Sequence, residues 1–207
     1  MHPVNKTHPF TTTEESAMKN ITIFGQGNMG KAISDLFQQA GHHTTFVKRG
    51  ETAAMLGDIV VLAVPFAAVD DIIGSHAAQL AGKIVIDITN PVDFATMDGL
   101  VVPADNSAAA HIAAKLPHSH VIKAFNTNFA ANLVSRKVAD SAPVTVLLAG
   151  DSDEAKQTVI TALHGSGVSG KDAGSLKRAR ELEALGFLAI TLAIREQIDW
   201  TGGFALY

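Results

Sequence analysis

The sequence predicts an α/β fold: a doubly wound, mostly parallel sheet with helices on both faces and an apolar helix at the C-terminus. Three observations predict it. Short β-branched apolar runs alternate with helical stretches, as in βα units. Several of these runs are apolar throughout rather than at every second residue, which indicates strands buried on both faces. A glycine-rich turn, Gly25-Gln26-Gly27-Asn28-Met29-Gly30, joins the first strand to the first helix.

The expected strands are Ile21–Phe24, Thr44–Val47, Ile59–Val64, Ile84–Ile88, Val121–Phe125 and Val144–Leu148. A helix over Met29–Ala40 ends at Gly41, a residue suited to the left-handed position after a helix. A second helix, Phe66–Leu80, is interrupted by Gly74. A third, Ser107–Leu116, starts at a capping serine and stops before Pro117. The fourth, Asp151–Leu163, opens with Asp151 and Glu154 at capping-box spacing. Two connections are irregular. Arg49–Asp58 has room for one or two helical turns, and Asn90–Asp105 is a long loop containing Pro91, Gly99 and Pro103. In Leu176–Asp199, the apolar residues Leu182, Leu185, Phe187, Leu188, Ile190, Leu192 and Ile194 do not fit on one stripe. Such a helix is buried in the monomer or against a second subunit.

Composition narrows the function. The chain has 207 residues, 47% of them hydrophobic, enough for one core, and only 17% charged. The net charge is -4 and there is no basic stripe, so nucleic acid is not an expected partner. No apolar run has the length of a membrane span. Cysteine is absent, which removes disulfides, Cys-ligated zinc and a thiol nucleophile, and suits a cytoplasmic protein. Residues 1–18 are polar and read as a flexible extension, leaving 19–207 as one domain.

The glycine turn follows a strand and opens a helix, the context a dinucleotide fingerprint requires. Gly25 permits the tight turn, Gly27 lets a pyrophosphate approach the backbone, and Gly30 lets helix and strand pack closely. The amides at Asn28 and Met29 then face the phosphates with the helix dipole behind them. This makes the fold Rossmann-type. An NAD site carries Asp or Glu about 20 residues after the glycines, on the ribose hydroxyls. Here the second strand ends in Val47-Lys48-Arg49 with no acid. Lys48 and Arg49 suit a 2′-phosphate, so the expected cofactor is NADP(H). An ordinary solvated basic pair is the alternative.

Catalytic side chains are conspicuously few. The single tyrosine is Tyr207, so no Tyr-x-x-x-Lys pair exists. After the sheet, too little chain remains for a helical substrate domain supplying a catalytic Lys or His. An oxidoreductase of this kind moves hydride between two cofactors, with no catalytic residue of its own. The pairs His42/His43 and His118/His120 lack metal-ligand spacing and read as solvated loop histidines; no metal site is expected. Val64-Pro65-Phe66, Asn90-Pro91 and Asn126-Thr127 end the third, fourth and fifth strands, on the edge where a cofactor runs. Each also fits ordinary turn chemistry, and the three together favour the site.

The ordered set Ile21–Gly30, Gly41-His42, Val47-Lys48-Arg49, Val64-Pro65-Phe66, Thr89-Asn90-Pro91, Lys123-Ala124-Phe125-Asn126-Thr127, Ala149-Gly150-Asp151 and Asp172-Ala173-Gly174 resembles the NADPH-dependent deazaflavin (coenzyme F-420) reductase family. It is also similar to the oxidoreductase domain of the STEAP metalloreductases, through Lys123–Thr127. The resemblance implies hydride transfer between NADP(H) and a flavin, deazaflavin or similar small-molecule redox acceptor. It implies that Gly25, Gln26, Gly27, Asn28 and Met29 hold the pyrophosphate and that Lys48 and Arg49 hold the 2′-phosphate. Val64, Pro65 and Phe66 would line the adenosine-to-ribose stretch, and Asn90, Pro91 and Asn126 would approach the nicotinamide. It also implies a homodimer through the C-terminal helix. Two features depart from the family: the Arg49–Asp58 connection is shorter, and Asn126 stands where many members carry His. A protein that senses or carries NADP(H) without turnover is the alternative function.

Overall fold

The computed structural model describes residues 17–207; the expectation of a flexible extension over 1–18 falls almost wholly outside them. Among the described residues nine strands are present: β1 Asn20–Phe24, β2 His43–Val47, β3 Ile59–Leu62, β4 Ile84–Asp87, β5 His120–Lys123, β6 Lys137–Val138, β7 Ala142–Pro143, β8 Thr145–Gly150 and β9 Ser169–Gly174. Seven of them form one sheet in the order β2-β1-β3-β4-β5-β8-β9. The first five run parallel, β8 is antiparallel to β5, and β9 is parallel to β8. The remaining pair, β6 and β7, makes a small antiparallel hairpin. The chain leaves β1 toward β2 and returns to the other side of β1 as β3. The strand order therefore reverses between β1 and β3, and ligands of open α/β sheets bind at the carboxyl ends flanking such a reversal.

The described residues also form six α-helices: α1 Asn28–Gln39, α2 Val69–Leu80, α3 Ala108–Lys115, α4 Ala130–Ser135, α5 Asp153–Ala162 and α6 Ala179–Ile194. Two cores form on opposite faces of the sheet. One joins Ile21, Ile23 and Val61 to Ile33, Leu36 and Phe37 of α1 and to Val159 of α5. The other joins Val60, Leu62 and Val85 to Val69 and Ile73 of α2 and Ile112 of α3. All four residues of β3 are fully buried, which explains why that run is apolar throughout rather than alternating.

Helix α1 ends as its sequence specifies. Gly41 takes φ +89°, its amide bonds to Gln38 and that of His42 to Phe37, so the last carbonyls find donors. The structure corrects four other expectations. Gly74 does not interrupt the second helix: it lies on an open side of α2, whose residues Val69, Ile73, His76 and Leu80 are buried; a 3₁₀ turn at Phe66–Ala68 leads into α2 instead. The cap of α5 is Ser152, whose hydroxyl accepts from the Ala155 amide. Asp151 is occupied elsewhere, accepting from the Leu176 amide. Residues 49–58 contain no helix: the segment turns at Arg49–Gly50, bends again at Ala54–Met55, and buries Leu56 in the second core. Lastly, His42 is not a solvated loop histidine. It is 6% exposed, its Nδ1 accepts from the Lys19 amide and its Nε2 donates to the Ala162 carbonyl. Burial first, with a smaller push from Lys19, lowers its pKa, so the ring is held neutral as a structural bridge.

Candidate functional site

The glycine turn lies at the reversal point. The Gly25 amide bonds to the Val47 carbonyl at the end of β2, and the Ala63 amide to the Phe24 carbonyl, so the turn is tied to both neighbouring strands. The three glycines do different things. Gly25 has φ +104°, and a Cβ there would overlap the Ala63 carbonyl oxygen. A Cβ on Gly30 would overlap the Gly25 carbonyl oxygen, so this position lets α1 pack down onto the turn. A Cβ on Gly27 would meet nothing within 4 Å. Sterics within the fold therefore demand two of the glycines, and the third leaves open space in front of the start of α1.

Gly27 also caps α1 with no side-chain hydrogen bond, and no acidic residue lies in the first turn. Among the described residues no acidic side chain caps the opening amides of α1, while Gln26, Gly27 and Asn28 are exposed and Met29 is half-buried. An uncapped helix start with an open glycine before it fits a pyrophosphate. Beside it, at the end of β2, Lys48 and Arg49 are exposed. The Lys48 amide donates to the Glu51 carboxylate, and Lys48 Nζ stands 3.9 Å from it. Arg49 has no carboxylate partner among the described residues, so it is the freer cation for a phosphate. Val64 and Phe66 are half-buried and Pro65 is exposed along the β3 corner. Behind Phe66, a recess of about 230 Å³ opens toward Val101, Val102 and His111. A larger one, about 280 Å³, lies at the opposite edge of the sheet, walled by Lys19, Asp58, Lys83 and His120. It is remote from the glycine turn, and its mixed charges select no ligand.

At the ends of β4 and β5 the structure brings Asn90 and Asn126 together. Asn90 Nδ2 donates to the Asn126 carbonyl at 2.8 Å, and Asn126 Nδ2 donates to Asn90 Oδ1 at 2.9 Å. Pro91 beside them is buried. The chain reaches this corner through Phe125, fully buried at φ +63°. A bulky residue rarely occupies that left-handed region, and such strain concentrates at functional corners. Thr89 Oγ1 and Asn126 Oδ1 are buried here without a hydrogen-bond partner.

These features have matches among known proteins. Residues 45–91 match the family model described as "NADP oxidoreductase coenzyme F420-dependent". The F420-dependent NADP reductase of Methanocaldococcus jannaschii is 29% identical over 177 residues, covering 83% of this chain and 78% of the relative. That of Methanothermobacter thermautotrophicus is 30% identical over 180 residues, covering 83% and 77%. The chain belongs to the F420-dependent NADP reductase family. The crystal structure of a putative F420-dependent NADP-reductase from Arthrobacter sp. FB24 shares the fold, with a TM-score of 0.77 at 23% identity over 91% of this chain and 99% of that one.

In this member of the F420-dependent NADP reductases, a buried network escaped the sequence reading as part of the site. Lys123, on β5, is fully buried and donates to Asp87 Oδ2 at 2.6 Å and to the Thr89 carbonyl at 2.7 Å; its Nζ also lies 2.8 Å from Glu183 Oε1. Glu183, on α6, accepts from the Ala108 and Ala109 amides at the start of α3. Burial pushes the Glu183 carboxyl up, against the pull of Lys123. A signal existed: Asp87 and Lys123 are lone opposite charges in otherwise apolar runs, and they are register partners on adjacent strands. Gly186 has no such signal. A Cβ there would stand 2.5 Å from Asn90 Oδ1 and 2.7 Å from the Asn126 carbonyl, so its lack of a side chain lets α6 lie across the asparagine pair.

Proposed function

We propose that this chain is an NADPH-dependent oxidoreductase that passes hydride between NADP(H) and a deazaflavin or related flavin-type acceptor. Family membership supports the reaction class. One observation of the fold carries the cofactor assignment: the open position at Gly27, ahead of an uncapped helix at the strand-order reversal. In this reading, the first amides of α1 bind the pyrophosphate with Gly25, Gln26, Gly27, Asn28 and Met29 around it. Arg49, helped by Lys48, binds the 2′-phosphate. Val64, Pro65 and Phe66 line the middle of the cleft. Asn90, Pro91 and Asn126 form the floor at the ring end.

Bound NADPH supplies the hydride. The protein's part is to hold the ring end still and keep it out of bulk water, because orientation alone removes a large share of such a barrier. The mutually bonded amides of Asn90 and Asn126 make that floor rigid. The acids and base nearest that corner, Asp87, Lys123 and Glu183, are buried beneath it and bonded to one another, in keeping with transfer between two rings.

We further propose that residues 19–207 act as one cofactor-binding domain, in the cytoplasm, as a homodimer through α6. On that helix Leu188 and Ile194 are large apolar side chains left 49% and 45% exposed, open to a second subunit. No helix among the described residues is long and apolar enough to cross a membrane.

The test of turnover is oxidation of NADPH, followed by loss of reduced-nicotinamide absorbance, with coenzyme F420, FMN, FAD, riboflavin and ferric chelates as acceptors. Turnover with a deazaflavin or flavin is expected; tight NADPH binding with none of them turning over would favour a sensor. For the cofactor preference, changing Lys48 and Arg49 together to Ala should weaken NADPH on the order of tens-fold, through loss of charge-assisted bonds. NADH affinity should barely change. Equal losses for both cofactors would show that the two cations do not read the 2′-phosphate.

A further inference from the structure

We propose that Asp87, Lys123 and Glu183 are positioning residues for the nicotinamide half of the cofactor site, acting through the Asn90–Asn126 pair; this rests on the cofactor reading above. The ammonium of Lys123 has three hydrogens and three acceptors: Asp87 Oδ2, Glu183 Oε1 and the Thr89 carbonyl. Asp87 Oδ1 takes the Thr89 amide at 2.8 Å. Thus both ends of Thr89, the residue before Asn90, are fixed to the triad. Asn126 lies three residues beyond Lys123, past the strained Phe125.

The third member comes from far along the chain. Glu183 carries α6 onto the same corner, one turn of helix from Gly186, which touches the asparagine pair. Asn126 Nδ2 donates to the Leu182 carbonyl at 2.8 Å, closing the circuit. Leu182, Glu183 and Gly186 are all buried on this face of α6. The result is a clamp: β4, β5, α3 and α6 meet at three buried charges, Asn126 is bonded to the α6 backbone at Leu182, and Asn90 follows Thr89, which Asp87 and Lys123 hold at both ends. The glycine turn and Arg49 lie at the ends of β1 and β2, outside the clamp. That separation makes a specific effect testable.

Glu183→Gln keeps the shape but not the pattern. Both carboxylate oxygens face donors: Oε1 faces Lys123 and Ala109, Oε2 faces Ala108. Whichever way the amide lies, its NH₂ opposes an N–H. Gly186→Ala pushes on the asparagine pair directly and leaves every charge in place. The two variants reach the same corner by different routes.

The experiment measures, for wild type and both variants, the affinity for NADPH and for 2′,5′-ADP, which carries the adenosine half alone. The expected result is a loss of about tenfold in NADPH affinity, equivalent to one charge-assisted hydrogen bond, with 2′,5′-ADP affinity unchanged. Parallel losses for both ligands would mean a general structural role and would overturn the proposal. Unchanged affinity for both would overturn it equally. If one variant fails to fold, the other carries the comparison. Failure of the wild type to bind 2′,5′-ADP is a separate outcome: it removes the cofactor reading itself, and this proposal with it.

Discussion

Gly27→Val should abolish dinucleotide binding and leave the chain folded. The two halves of this expectation have separate causes. A Cβ at Gly27 meets no atom within 4 Å, so the fold has nothing to rearrange. The same side chain would stand over the opening amides of α1 and block an anion from reaching them. Losing two amide bonds to a charged group, at about 1.5–3 kcal/mol each, weakens binding by roughly a hundredfold or more. Calorimetric titration with NADPH checks the loss, and the thermal midpoint checks the fold. Gly25→Val gives the contrast: with φ +104° and the Ala63 carbonyl in its way, it should destabilise the protein itself. Wild-type NADPH affinity in Gly27→Val would remove the pyrophosphate from the glycine turn.

Lys123→Met should be the most destabilising single change at the clamp. It leaves the buried carboxyls of Asp87 and Glu183 facing each other without a cation. Breaking a buried ion pair from one side costs about 3–5 kcal/mol, a large part of the ~5–15 kcal/mol that holds a domain folded. The deficit should also depend on pH, with a sign set by Glu183. Burial already raises its folded pKa, and the opposing pull of Lys123 is what the substitution removes. A carboxyl whose folded pKa is raised contributes stability that is fully present below its unfolded pKa and is lost as pH rises through the folded one. The variant should therefore be closest to wild type in mildly acid solution and furthest from it at neutral pH. Denaturant unfolding at both conditions measures this. A deficit that grows on acidification would show that Glu183 is not the group responsible.

Much of the fold was legible because burial on two faces writes itself into the chain. The wholly apolar run at Ile59 became β3, the runs at Ile84 and Val121, apolar but for Asp87 and Lys123, became β4 and β5, and Gly41 ended α1 as its backbone freedom allows. Strand β9 was not legible. Its sequence, Ser169–Gly174, is polar and glycine-containing, and it forms an edge held only by β8. The cap of α5 was misread because Asp151 and Ser152 are both good acceptors; the choice is made by Leu176, which draws the Asp151 carboxylate away. His42 was misread for a similar reason, since the Ala162 carbonyl that buries it lies 120 residues along the chain.

The candidate site divides along the same line. The glycine turn and the Lys48-Arg49 end of β2 are local patterns, and the sequence contains them whole. Asn90 and Asn126 could be placed on the carboxyl edge from their strands. Their pairing could not be, because it depends on two strands lying side by side and on Gly186 arriving from α6. The charges at Asp87, Lys123 and Glu183 are spread over three elements, and only the packing of those elements gives them a common purpose.

The claim that everything else depends on is that a dinucleotide lies across the carboxyl edge, with its phosphates on the start of α1. A crystal structure grown with NADPH tests it most directly. The expected density places the pyrophosphate against the amides of Asn28 and Met29, the 2′-phosphate beside Arg49 and the nicotinamide over Asn90 and Asn126. NADPH bound elsewhere, or an empty glycine turn at saturating cofactor, would contradict the account.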